Sequence, residues 1–302
     1  MKSTRFLLVG FAAVVLCTYA AASAGATGLQ TRQSMFTPHR VLYKMELGHA
    51  HKDSNVSGAS GTMYYRFEPL CDGWESESRV FMNLLYGAPG QEEAVETTWT
   101  FKSFESYDGE TFTYEVDHNH NGILQDLYAG QAGKTADGGE ATFDDDDTTS
   151  VDLPAGTVFP AEYLLQLLTL AHKGQGAFSR TVFDGASKSN PYEVNTYIVG
   201  PVVDGKLALD KELPGPDQTS GKFRKSAYDG KAKTEGQTAG LPVWRIRMAY
   251  FPLQSNNEMP EFELEVDYRQ DGVAEHIVQD FGDFSLNLKP TRFEALPPTV
   301  CK

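Results

Sequence analysis

From Val41 to Leu47 the chain alternates. Val41, Tyr43, Met45 and Leu47 interleave with Leu42, Lys44, Glu46 and Gly48, a period of two that predicts a strand with one richer apolar face. Runs of the same kind, rich in Thr, Val, Tyr and Phe, follow at Gly61 to Phe67, Trp74 to Leu84, Val95 to Phe104, Thr111 to Asp117 and Leu124 to Tyr128. They resume at Phe178 to Phe183, Tyr192 to Val199, Lys222 to Tyr228, Val243 to Tyr250, Glu261 to Arg269, and Val273 to Leu288 with a break near Gly282. Such residues suit a pleated, half-buried surface. Asp108-Gly109, Asn121-Gly122, Asp184-Gly185, Asp204-Gly205, Asp229-Gly230 and Asp271-Gly272 are hairpin-type dipeptides between runs. Their spacing favours consecutive antiparallel strands over βαβ crossovers.

One segment changes period. Pro160 suits the first position of a helix, Glu162 complements its positive end, and His172, Lys173 and Gly174 suit its close. Leu164, Leu167, Leu168 and Ala171 form one stripe, and Tyr163, Leu165 and Leu170 carry apolarity around most of the circumference. A helix apolar nearly all round must be buried. In a β chain, a helix bearing Tyr163, Leu164, Leu167, Leu168 and Ala171 inward fits the concavity of a large, strongly twisted or spiralling sheet. Whether it lines a ligand cavity or is a plain core helix stays open. The glycine-rich stretch Ala129 to Leu153, which contains the acidic run Asp144 to Asp147, and the stretch Leu213 to Lys222 read as long loops. Strand patterning continues on both sides of each, so a single domain is expected.

The N-terminus adds an address. Lys2 and Arg5 precede an apolar run from Phe6 to Leu16 and the small-x-small pattern Ala22-Ser23-Ala24, the layout of a secretory signal peptide over residues 1–24. The run is shorter than the roughly 20 residues a membrane span needs, and no later segment reaches that length and apolarity. Cys17 follows Leu16 inside the signal, which does not fit a lipoprotein. The mature domain, residues 25–302, is expected in the periplasm without stable membrane insertion. Cleavage removes Lys2 and Arg5 and takes the formal net charge from −15 to −17. Such a surface repels phosphates, and the densest basic stretch, Lys222 to Lys233, contains Asp229, so nucleic acid is not an expected partner. Two cysteines remain, Cys71 and Cys301; in an oxidising compartment an even pair is read first as a bridge, with two free thiols as the alternative.

Motifs of catalysis do not surface. There is no GxSxG elbow, HExxH helix or SxxK pair, and Gly215 to Lys222 has one residue too many for a phosphate loop, with Phe223 in place of Ser or Thr. Asp117 to Gly122 imitates half a calcium loop, but Tyr128 stands where the bidentate carboxylate belongs, so a plain Asn121-Gly122 hairpin is expected. His118 and His120 share a strand face without a clear third ligand and are expected to face solvent, as are His39, His49 and His51. No cofactor or metal is expected.

Several ordered segments resemble the EipB-type periplasmic cell-envelope integrity proteins. They are His39-Arg40-Val41-Leu42-Tyr43, Gly61-Thr62-Met63-Tyr64-Tyr65-Arg66-Phe67 with Cys71-Asp72-Gly73-Trp74, and Thr97-Thr98-Trp99-Thr100-Phe101. Asn121-Gly122, Leu153-Pro154, Phe159-Pro160-Ala161-Glu162, Phe183-Asp184-Gly185 and Cys301 continue the series. The resemblance implies a β-spiral around a helix, distantly reminiscent of the LolA and LolB lipoprotein carriers, a disulfide mapping onto Cys71 and Cys301, and a role in the Gram-negative envelope. Cys301 at the chain end and the acidic run Asp144 to Asp147 depart from that pattern. The expected function is non-enzymatic binding or scaffolding for envelope homeostasis, through another periplasmic protein or an apolar ligand. A lipid or acyl carrier is the alternative, and a hydrolase with unshared motifs a third.

Overall fold

The computed structural model describes residues 35–203, 206–207 and 240–301, apart from 89 and 146. The signal segment, the strand expected at Lys222 to Tyr228, the Leu213 to Lys222 loop, and the turns at Asp204-Gly205 and Asp229-Gly230 lie outside the described residues.

The strands are β1 (His39–Ala50), β2 (Val56–Pro69), β3 (Gly73–Tyr86), β4 (Glu93–Ser106), β5 (Thr111–His120), β6 (Ile123–Thr135), β7 (Gly138–Asp144) and β8 (Thr149–Leu153). After the helix α1 (Pro160–His172) come β9 (Ala177–Val182), β10 (Tyr192–Val203), β11 (Lys206–Leu207), β12 (Val243–Pro252), β13 (Phe262–Arg269), β14 (Ala274–Asp280) and β15 (Phe284–Ala295). They form one antiparallel sheet in the order β11-β10-β12-β13-β14-β15-β1-β2-β3-β4-β5-β6-β7-β8, with β9 also on β10. The expected curved antiparallel sheet around one buried helix is therefore what the chain builds. A sheet this long coils because every strand pair twists. Its two ends approach each other where Val158, just past β8, bridges Val182 of β9, with Val158 N–H donating to Thr181 O and Phe183 N–H to Val158 O.

Alternation decides which residues face inward. In β1, His39, Val41, Tyr43 and Met45 are buried while Arg40, Leu42, Lys44 and Glu46 are exposed. That parity corrects one expectation: His39 does not face solvent but is 2% exposed, stacked on Phe293. Burial holds its imidazole near a pKa of about 4, so it is neutral. The Asn121-Gly122 turn has positive φ at both residues, 50° and 74°, the geometry of a two-residue hairpin whose twist matches its strands.

The stretch Ala129 to Leu153 is not a long loop. It supplies the end of β6, all of β7 and β8. Its glycines hid the pattern, and at Gly130 and Gly139 close approach of neighbouring backbone requires them. A Cβ on Gly130 would lie 2.0 Å from Thr142 O, beneath Tyr114, whose hydroxyl donates to that same carbonyl at 2.7 Å. Asp184-Gly185 does lie between consecutive antiparallel strands, in the loop from β9 to β10 whose pairing begins at Val182 and Tyr192, but this loop is longer than a two-residue turn, and a Cβ on Gly185 would meet the Tyr114 ring at 2.6 Å.

The chain ends close the structure. β1 lies between β2 and β15, pairing His39 with Phe67 and with Ala295. Beyond β15, Thr299 donates to Pro69 O, and Cys301 is bonded to Cys71 in the β2–β3 turn, with a Cα–Cα distance of 5.5 Å across 230 residues of sequence. That turn is held from its other side by Tyr107, whose hydroxyl donates to Leu70 O at 2.6 Å and whose ring meets Trp74 edge-on at 4.7 Å. Replacing both cysteines by serine is expected to lower stability by about 2–5 kcal/mol, the range for bridges closing long loops. Urea unfolding monitored by tryptophan fluorescence checks this, and an unchanged midpoint would show that the tail carries no stabilising constraint.

Candidate functional site

The concave face of the sheet encloses α1. Its N-cap, Phe159, offers no side-chain hydrogen bond, as a phenyl ring must, so the first-turn N–H groups need acceptors from elsewhere. Glu105, at the end of β4, supplies them: Oε2 accepts from Ala161 N–H at 2.6 Å and Oε1 from Glu162 N–H at 2.9 Å. Beside it Lys134 binds Glu162 at 3.3 Å and lies 5.0 Å above the Phe159 ring. The helix closes at Gly174, where φ is 68° and the N–H donates to Ala171 O at 3.1 Å.

Of the residues expected to line the concavity, Tyr163, Leu167, Leu168 and Ala171 are buried in the main core and Leu164 is partly buried against it. Their neighbours come from both halves of the sheet, among them Phe67, Trp74, Val194, Ile246, Met248 and Val266. The Tyr163 hydroxyl meets that of Thr196, which pins the helix to β10. A cavity of about 160 Å³ remains between helix and sheet. Its walls carry seven aromatic side chains, Tyr65, Trp74, Tyr250 and Tyr268 among them, beside the polar Ser76, Ser103, Glu105 and Asp184. The two serine hydroxyls bond each other at 2.8 Å. Trp74 Nε1, fully enclosed, has no hydrogen-bond partner among the described residues.

Electrostatics follow from enclosure. Burial pushes the Glu105 carboxyl up to about 7, against the lowering effect of its two N–H donors. Burial likewise raises the Tyr65, Tyr163 and Tyr250 phenols, and holds Tyr268 at about 12. The chamber is therefore lined by neutral phenols and two buried carboxyls, Glu105 and Asp184, each raised by burial and each already held by hydrogen bonds. Such a lining suits packing and hydrogen bonding.

Glu105 was not singled out from the sequence; Ala161 entered only as part of the family resemblance, and Trp74 only there and as the start of a strand run. Glu105 had a signal: it shares strand parity with Phe101 and Ser103, which puts an acid on the inward face of β4. The histidine pairs stay apart from the chamber. His118 contacts His120 edge-on at 4.5 Å and Asp126 at 3.3 Å, and His49 bonds Ser285 at 2.6 Å. No group of three His, Cys, Asp or Glu residues among the described residues is arranged to hold a metal. Asp145, within the acidic run, is paired with Lys188.

Glu105 makes a testable pH signature. Its pKa is raised on folding, so its contribution to stability is complete below about 4.5 and is lost as pH rises through about 7. The stability difference between wild type and Glu105→Gln is expected to fall over that window by up to about 1.4 kcal/mol per pH unit. Denaturant unfolding at several pH values checks it, and a flat difference would contradict a buried, proton-holding Glu105. Glu105→Ala, which leaves two helix N–H groups without acceptors, is expected to cost about 1–3 kcal/mol.

A family model described as EipB-like matches residues 30–297. The cell envelope integrity protein EipB of Brucella abortus (strain 2308) is 25% identical over 297 residues, covering 97% of this chain and 91% of the relative. A solved β-barrel-like protein of a domain of unknown function, also from Brucella abortus, superposes with a TM-score of 0.72 at 20% identity, covering 87% of this chain and all of that one. At that identity the superposition shows the fold. With the family match extending over almost the whole described sheet, its helix and the approach to Cys301, this chain belongs to the EipB-like family.

Proposed function

We propose that the chain is a non-enzymatic periplasmic protein that supports cell-envelope integrity by binding. Its relation to a protein named for envelope integrity supports the role and the compartment. The observation that carries the binding reading is the filled interior. Ligand pockets usually run to roughly 300–1,000 Å³, whereas α1 leaves about 160 Å³ inside the sheet. Of the two carboxyls in that chamber, Glu105 positions the helix and Asp184 accepts from Ala186 N–H and the Asn190 amide, so the outer surface is where recognition takes place. Among the described residues no helix is long and apolar enough to cross a membrane.

A second reading, a carrier of a lipid or acyl chain, draws on a different place. A cleft of about 450 Å³ lies against the outer side of α1, with Met35, Phe36, Leu165 and Leu168 in its walls. Native mass spectrometry of protein prepared from its own cells separates the two readings: bare protein fits the first, a retained lipid mass the second.

Deleting the gene is expected to raise sensitivity to detergent and to cell-wall antibiotics, and the intact chain to restore resistance. Unchanged sensitivity across growth conditions would remove the envelope reading.

A further inference from the structure

β6 is longer than its partner on one side. It pairs with β5 from Ile123 to Gly133 but with β7 only from Ala129 to Thr135. Residues 123–128 thus present an open edge among the described residues. Open edges are templates for another strand, and proteins blunt them with short length, charged side chains (above all Lys), Pro, or a β-bulge. The terminal strand β8 follows that rule, being five residues long with Thr149, Ser150 and Asp152 exposed. The open part of β6 follows it only through Asp126 and a bulge. It contains neither Lys nor Pro, and Ile123, Leu124 and Leu127 are 67%, 53% and 59% exposed. A bulge at Gln125 divides it, and the Gln125 amide donates to Ile123 O at 3.1 Å, which leaves residues 126–128 as a regular run in line with β7.

From this edge a groove of about 790 Å³ runs across β5 to β4, lined by Thr100 and Lys102 of β4 and Asp117 of β5 as well as by residues 124–129 of β6. Five carboxylates line it, Asp117, Asp126 and Asp144 among them, against two lysines, one of which, Lys188, is paired with Asp145. A second copy of the same edge would set carboxylates against carboxylates, which disfavours self-pairing.

We propose that residues 123–128 of β6 accept an extended segment of a partner polypeptide by strand addition, with apolar side chains of that segment alternating with Lys or Arg. Backbone hydrogen bonds supply the pairing, the exposed leucines the apolar contact, and the groove's acids the choice of a cationic sequence. This rests on the binding reading above and specifies its surface.

The test uses the purified full chain and a fluorescent eight-residue peptide of alternating Lys and Val. Three companions serve as controls: a Glu-Val peptide, the Lys-Val peptide N-methylated at alternate residues, and the protein variant Leu127→Lys. Anisotropy is expected to show binding of the Lys-Val peptide, at least tenfold weaker for each control, while amide exchange slows at residues 123–128. Equal binding of the N-methylated peptide would overturn strand addition, because only backbone donors distinguish the two. No binding, protection elsewhere, or self-association abolished by Leu127→Lys would also overturn it. Binding is read on isolated protein and the envelope phenotype in the deletion strain, so each can fail without the other.

Discussion

A sheet of this length cannot stay flat, and once it coils its concave face has to be filled. What fills it is α1, and the contact on which its placement depends is the pair of hydrogen bonds from the first-turn N–H groups to Glu105. Without an N-cap side chain of its own, the helix has its start fixed by a strand from the far half of the sheet. One ionisable group thus couples the curvature of β4 to the axis of the helix. A carboxyl is a costly choice for an interior position. Two N–H donors, the helix dipole and the nearby Lys134 compensate that cost.

The same economy appears at the chain ends. Because β1 pairs with both β2 and β15, the middle of the sheet forms only when the first and last strands of the described fold meet. The Cys71–Cys301 bond then ties the tail to the β2–β3 turn, beside the Tyr107 ring and the Trp74 ring it packs on, the latter in the wall of the helix chamber. Interior packing and tail attachment are therefore mechanically continuous, through Leu70, Tyr107 and Trp74.

The period of two located most strands because inward and outward residues differ sharply where one face is buried, as in β1. The helix was legible for the converse reason: Pro160, Glu162 and Gly174 mark its ends, and its apolarity nearly all round says that it is enclosed. The end of β6, β7 and the five-residue β8 were not legible. In β7 and at the end of β6 glycine replaces the side chains that would show alternation, since Tyr114 and the neighbouring backbone come too close for a Cβ. His39 misled because a histidine near a terminus usually faces water, while strand parity put it under Phe293. The open edge of β6 was beyond sequence reasoning altogether, since it depends on where β7 stops, a matter of register and not of composition.

The central claim is that the helix is a permanent filling and not a plug that leaves to admit a ligand. Hydrogen exchange of the α1 amides measures this most directly, in protein taken from its own cells and in the same protein refolded from denaturant. The account predicts equal protection in both, with α1 exchanging only through global unfolding. Fast exchange of α1 in the refolded protein, slowed in the native preparation, would show that the concavity is a ligand chamber and would contradict it.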